Sequence, residues 1–257
     1  MNFITFKIVY IFFSMKKILS YILSSIFYLF YGILLLIFHV LQWIGFNVGK
    51  YKGHKIAVDI MNCSLTYLLY ILGTRIKFIN KYPIPKNVPL IIVSNHQSMH
   101  DICPLSCYLK KHHPKFVSKI ELGKGIPSVS YNLRHGGSVL IDRKDPRQSL
   151  TAIRDFGKYI EENNYAAVIF PEGTRSKDGV PKRFSENGLK MLTKFAPSAY
   201  VIPVTINNCW KLNKFGMFPL EIGIKVTFEF HEPIEASSLK FEDLFSKVES
   251  SVKNSVI

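Results

Sequence analysis

From Ile18 to Gly49 the chain carries no Asp, Glu, Lys or Arg and consists chiefly of Ile, Leu, Phe and Tyr. Such a run must be buried in lipid or in protein, and a single bilayer span needs only about 20 residues of this kind. The surplus predicts either a tilted helix or two helices broken near Gly32 or Gly45. Lys16 and Lys17 precede the run and Lys50, Lys52 and Lys55 follow it, so both flanks are positive and the orientation stays open. A cleaved secretory leader has the same general shape, but the core is too long and no small-residue cleavage site follows. Residues 1–14 are apolar around Lys7, and Met15-Lys16-Lys17 resembles a natural start, so that stretch is expected to be an extension.

After Lys55 the pattern changes to short apolar runs alternating with amphipathic stretches. The runs at 76–79, 90–94, 115–118, 138–141, 166–170, 200–206 and 222–230 predict core strands. Between them, 101–110, 119–134, 145–162 and 185–195 predict helices. The result is an α/β domain over residues 56–257 behind an N-terminal membrane-embedded helical segment over 1–55.

Composition adjusts this picture in two ways. Hydrophobic residues at 48%, aromatics at 14% and a mean hydropathy of +0.15 together make the chain too oily for an ordinary soluble enzyme, yet far from a multi-span transporter. The formal charge of +15 calls for anionic partners, and the apolar N-terminus turns the choice toward lipid phosphates. Nucleic acid is not expected, because the basic residues are dispersed and form no recognisable module. Cys63, Cys103, Cys107 and Cys209 lack paired CxxC spacing, so all four are expected to be reduced and structural.

The predicted strand 90–94 runs directly into Asn95-His96-Gln97-Ser98-Met99-His100-Asp101, a polar cluster where α/β folds place their ligands. His96 and Asp101 are five residues apart, about 140° around a continuous helix, so they meet only if His96 lies in the turn before the helix. Asp101, near the helix N-terminus, would then orient one imidazole nitrogen while the other faces substrate as a general base. A Ser-His-Asp hydrolase would recruit Ser94 or Ser98, but no GxSxG elbow is present. His96, His100 and Asp101 suit a metal by type, yet no supporting ligand has the right spacing, and His112 and His113 are as easily surface residues. No metal is expected.

Two further clusters follow predicted strands. Pro171 stops the run 166–170 and leaves Glu172-Gly173-Thr174-Arg175 at its end, where glycine permits close backbone approach and Arg175 presents a fork suited to phosphate. Glu172 could hold that fork or bond an acceptor hydroxyl. Arg143, in Ile141-Asp142-Arg143-Lys144, is the second phosphate candidate, with Lys119 upstream. Lys144 and Arg147 read as a solvated basic face.

In this order and spacing, Asn95 to Asp101, then Ile141-Asp142-Arg143, then Phe170-Pro171-Glu172-Gly173-Thr174-Arg175-Ser176, then Val201-Ile202-Pro203-Val204 resemble the motifs of the 1-acyl-glycerol-3-phosphate acyltransferase family of glycerolipid acyltransferases. The resemblance implies a mixed β-sheet flanked by helices. It implies that His96 deprotonates the free 2-hydroxyl of a lysophosphatidic acid-like acceptor, oriented by Asp101, and that the alkoxide attacks an acyl thioester directly. Acyl-CoA or acyl-carrier protein would be the co-substrate, with no further cofactor. Arg143, Glu172, Gly173, Thr174, Arg175 and Lys119 would hold the acceptor, and Pro203 would shape the site near the donor. Lys119 and Leu122 fit the family pattern, whereas 123–127 runs one residue long and Ser130 stands where a glycine is common.

The resemblance implies phosphatidic acid as product, formed at a membrane from the cytoplasmic side, the inner or plasma membrane in a bacterium. The same motifs also serve other lysophospholipid or lyso-aminolipid acceptors. A serine lipid hydrolase and a non-catalytic membrane-binding protein are the alternatives from other classes.

Overall fold

The computed structural model describes the backbone of residues 3–257 and the side chains of residues 15–257, so the expected extension ahead of Met15 lies outside the described side chains. The chain opens with α1 (Phe3–Leu68), interrupted at Lys50 by a non-helical backbone (φ 50°, ψ −135°) that folds it into two arms. The break falls after Gly49 rather than at Gly32 or Gly45. Helix continues through Gly32, and Gly45 is used for the crossing of the arms. A Cβ on Gly45 would lie 2.6 Å from the Gly53 carbonyl oxygen, and a Cβ on Gly53 would overlap the Gly45 carbonyl. Farther along, Leu35 and Phe38 pack on Met61 and Leu65. A Gly53→Leu variant is therefore expected to force the arms apart, because the obstruction is backbone, at a cost of at least about 1–3 kcal/mol. Thermal melting in detergent should show a clear drop; an unchanged melt would mean the hairpin is not held this way.

One face of the first arm docks on the rest of the molecule. Ser24 Oγ accepts from Leu220 N at 2.8 Å, Tyr28 donates to the Met217 carbonyl at 2.6 Å, and Lys16 pairs with Glu221 at 2.7 Å. Phe27 is fully buried. The opposite face, with Ile22, Leu29, Leu36 and Trp43, is exposed. Residues Met15–Leu72 are long and apolar enough to cross a membrane. An outward face of this composition is suited to lipid rather than water.

The second arm runs without a break past the expected boundary at 55/56 to Leu68, then through a 3-10 turn (Leu69–Leu72) closed by Gly73 at φ 66°. It packs beside α2 (Ile102–Tyr108) and is joined to it by a Cys63–Cys107 disulfide with Cα atoms 5.0 Å apart. The expectation of four reduced cysteines is thus corrected for this pair. The partners lie 44 residues apart on elements that only the tertiary fold brings together. Cys103 and Cys209 are free.

The sheet is mixed. Its strands are β1 (Arg75–Asn80), β2 (Leu90–Ser94), β3 (Pro114–Lys119), β4 (Val139–Ile141), β5 (Ala166–Ile169), β6 (Tyr200–Asn207), β7 (Lys225–Phe230) and β8 (Ile234–Glu235), in the order β1-β7-β6-β2-β5-β3-β4, with β8 on β6. From β6 to β4 all neighbours are parallel, while β6 meets β7 and β8 antiparallel. Every residue of β2 and β5 is buried, as strands covered on both faces require. One layer is formed by α1 and α2. The other is formed by α4 (Pro146–Asn163), α5 (Glu186–Phe195) and α6 (Phe241–Lys253). The single helix expected over 119–134 is instead a 3-10 turn (Ile120–Gly123) and α3 (Val129–His135), because Gly125 at φ 82° and Pro127 interrupt it.

Candidate active site

Because β2, β5, β3 and β4 run parallel, their C-terminal ends gather the loops that follow them on one edge of the sheet. His96 lies in the loop after β2. Its Nδ1–H donates to Asp101 Oδ2 at 2.8 Å. The same oxygen accepts from Gln97 N at 2.7 Å and Ser98 N at 2.9 Å. Asp101 is fully buried and closes a capping box with Ser98 at the 3-10 turn (Met99–Asp101) that leads into α2. These bonds fix the imidazole tautomer and leave Nε2 for the cavity that His96 lines.

Neighbouring side chains immobilise this loop. Asn95 bridges to β6, donating to Ile206 O at 2.8 Å and accepting from Ile206 N at 2.7 Å. Gln97 accepts from Cys209 N at 2.9 Å. Phe170 stacks on the His96 ring with centroids 4.2 Å apart. The sequence reading assigned no role to Phe170, although its place at the end of an all-buried strand beside the histidine loop is what brings the rings together. Ser98 donates to Asn213 Oδ1 at 2.6 Å and Ser94 to Asn95 O, so neither serine bonds His96 and the hydrolase geometry is missing. His100 is buried edge-on to Phe27, and burial lowers its pKa to about 4, which keeps it neutral.

Glu172 does not hold Arg175. Its two oxygens accept from His96 N and Lys182 N, both at 2.8 Å, so it ties the β5 loop to the histidine loop. Burial raises its pKa against the lowering effect of those backbone bonds. Pro203 does not line the cavity either. It sits within β6, opposite Val93, where the β8 ladder at Tyr200 and Val201 gives way to the β7 ladder starting at Val204. A strand residue without an N–H is tolerated at such a change of partner, and the Pro203 carbonyl accepts from His231 N at 3.0 Å.

Lys119 at the end of β3, Arg143 after β4, and Gly173, Thr174 and Arg175 after β5 line the same cavity as His96. Arg143 is partly withdrawn from solvent, which lowers its pKa while Glu121 opposes the shift. Ser130 takes a structural role here: its hydroxyl accepts from Ile126 N at 3.0 Å and donates to Leu122 O at 2.9 Å, bracing the turn that follows Lys119.

The cavity is about 870 Å³. It is walled by stripes at i, i+3, i+4 and i+7 spacing: Met99 of the 3-10 turn with Ile102, Cys103 and Ser106 of α2, and Val129, Asn132 and Leu133 of α3 with Gly136 at its C-cap. The second arm of α1 adds Val58, Met61, Asn62 and Leu65. One cavity thus joins an oriented histidine and three cationic side chains to a mainly apolar lining.

A family model described as acyltransferase matches residues 75–207, which include every motif of this site except the walls supplied by α1. The chain belongs to the acyltransferase family. It is similar to a 1-acyl-sn-glycerol-3-phosphate acyltransferase of Helicobacter pylori (strain J99), 32% identical over 167 residues, covering 62% of this chain and 66% of that protein. It is also similar to the chloroplastic 1-acyl-sn-glycerol-3-phosphate acyltransferase LPAT1 of Arabidopsis thaliana, 29% identical over 170 residues, 66% of this chain and 46% of that one. The match therefore spans between about half and two thirds of these relatives' lengths. In fold, the acyltransferase resembles the crystal structure of the 1-acyl-sn-glycerophosphate (LPA) acyltransferase PlsC from Thermotoga maritima. The TM-score is 0.74 at 24% identity, over 93% of this chain and 95% of that one. That likeness takes in the N-terminal arms as well as the sheet.

Proposed function

We propose that the protein transfers a fatty acyl group from an acyl thioester, acyl-CoA or acyl-carrier protein, to the sn-2 hydroxyl of 1-acyl-glycerol-3-phosphate, giving phosphatidic acid. The observation that carries this reading is that a carboxylate-oriented His96 lines one cavity together with Lys119, Arg143, Arg175 and largely apolar walls. His96 Nε2 takes the acceptor's hydroxyl proton as the oxygen attacks the thioester carbonyl. Collapse of the tetrahedral intermediate breaks the C–S bond, and the thiolate leaves with that proton returned from His96. A thioester is already activated, so a base and an oriented acceptor are the main requirements. The relatives' names, each specifying a 1-acylglycerol-phosphate acceptor, support the choice of acceptor.

The exposed apolar face of α1 supports membrane residence, with the active site on the cytoplasmic side where thioester donors are made. The guanidinium groups of Arg143 and Arg175 suit a phosphomonoester. Alanine at either position should raise KM for lysophosphatidic acid by about ten- to hundredfold, with less effect on kcat. Kinetics against lysophosphatidic acid and lysolipids with blocked phosphates test this in one assay. Equal rates on all acceptors, unaffected by either substitution, would remove the phosphate reading.

A further inference from the structure

The cavity is lined in part by groups that an unmodified alkyl chain does not require. Lys119 and Lys115 stand at opposite ends of β3, separated by four residues of strand or about 13 Å, and both line the cavity. The same lining includes apolar Leu35, Met61, Ile102, Phe116 and Val129. At the Lys115 end stands the Asp59 carboxylate, close enough to bear on the amine, and the lining also carries Asn62, Ser106 and Asn132.

Lys115 is 5% exposed, and its ammonium lies 4.7 Å from the centre of the Tyr51 ring and 5.4 Å from that of Tyr165. Those rings are held in a stack with His113, which bonds the Tyr51 hydroxyl at 2.6 Å and also lines the cavity, so a histidine whose place the sequence left open is part of this wall. Among the described residues Lys115 Nζ has no hydrogen bond and no ion pair, since Asp59 is paired with Lys55. Burial, and then Lys55, lower the Lys115 pKa to about 7, with Asp59 opposing. A methyl terminus set against this amine would keep it from water and return no bond, which is the costly way to bury a polar group. A carboxylate would meet Asp59. A hydroxyl both accepts and donates, and so matches the amine of Lys115 and the carboxylate of Asp59 together.

We propose that the Lys115 end of the cavity is a subsite for a hydroxyl group at or near the ω end of the donor's acyl chain, with Lys115 as its specificity-determining residue. This rests on the acyl-transfer reading and adds a substrate class to it. No step of the chemistry at His96 changes, because the hydroxyl is recognised and not transformed.

The test compares matched pairs of acyl-CoA and ω-hydroxyacyl-CoA over a range of chain lengths, with lysophosphatidic acid as acceptor. Wild type, Lys115→Met and Lys115→Gln are each measured alongside a thermal melt. At the chain length that reaches the subsite, wild-type kcat/KM should favour the hydroxylated donor by about tenfold or more. Lys115→Met should reverse the order, and Lys115→Gln, which retains a hydrogen-bonding end, should keep part of the preference. If Lys115→Met fails to fold, the wild-type ratio and Lys115→Gln decide. A wild-type preference for the methyl-ended donor at every length, or a ratio indifferent to Lys115→Met, overturns the proposal while leaving acyl transfer intact. Absence of transfer from every donor in the wild type sinks the acyl-transfer reading and this inference with it.

Discussion

Replacing His96 with alanine should lower acyl transfer by about 10²- to 10⁴-fold while leaving the protein folded. The rate loss follows from removal of the base, whose contribution in proton-transfer catalysis typically falls in that range. Folding should survive because the loop has other anchors. Asp101 Oδ2 still accepts from Gln97 N and Ser98 N, Asn95 still bridges to Ile206, and Glu172 bonds the backbone N–H of residue 96, which alanine retains. The principal loss of packing is the face of Phe170. Steady-state rates with a thermal melt on the same preparation check both halves. A variant with near-wild-type turnover would remove His96 from the reaction.

Asp101→Asn should be nearly as damaging to the rate and more damaging to the loop. One carboxylate oxygen receives three N–H groups, two from the backbone and one from the imidazole. An amide oxygen in that place carries no formal charge and gives up the charge-assisted part of each bond. If the side chain turns over, its own N–H₂ faces three donors. The imidazole then loses the partner that fixes its tautomer, and the imidazolium formed during proton transfer loses its counter-charge. A fall in kcat of about 10²-fold or more is expected, with a lower melting temperature than His96→Ala. Should Asp101→Asn melt like wild type and keep its turnover, the carboxylate is neither orienting the ring nor holding the loop.

How much of this was legible in the sequence differs by element. The strands were readable because β2 and β5 are buried along their whole length and appear as unbroken apolar runs. The His96–Asp101 pair was readable because a five-residue separation works only across a turn, and the 3-10 turn before α2 supplies one. The local partners of Glu172 and Pro203 were not legible. A carboxylate in a polar motif looks the same whether it meets substrate or two backbone amides, and only the path of the loops at 96 and 182 decides. A proline in a strand does not announce which ladder it interrupts. The Cys63–Cys107 pairing and the cavity walls from α1 depend on the arms folding back at Lys50, whereas the sequence offered Gly32 and Gly45 as the break points. Helix α6 was legible but unread: Phe241, Leu244, Phe245, Val248 and Val252 follow helical spacing and pack on the outer layer.

The measurement that bears most directly on the central claim is mass spectrometry of the lipid formed when the purified protein meets lysophosphatidic acid and an acyl-CoA of distinct chain length. The account predicts phosphatidic acid carrying the donor's chain at the 2-position, formed only when both substrates are present. Free fatty acid released from either substrate without a diacyl product, or no change in any lipid, would contradict it.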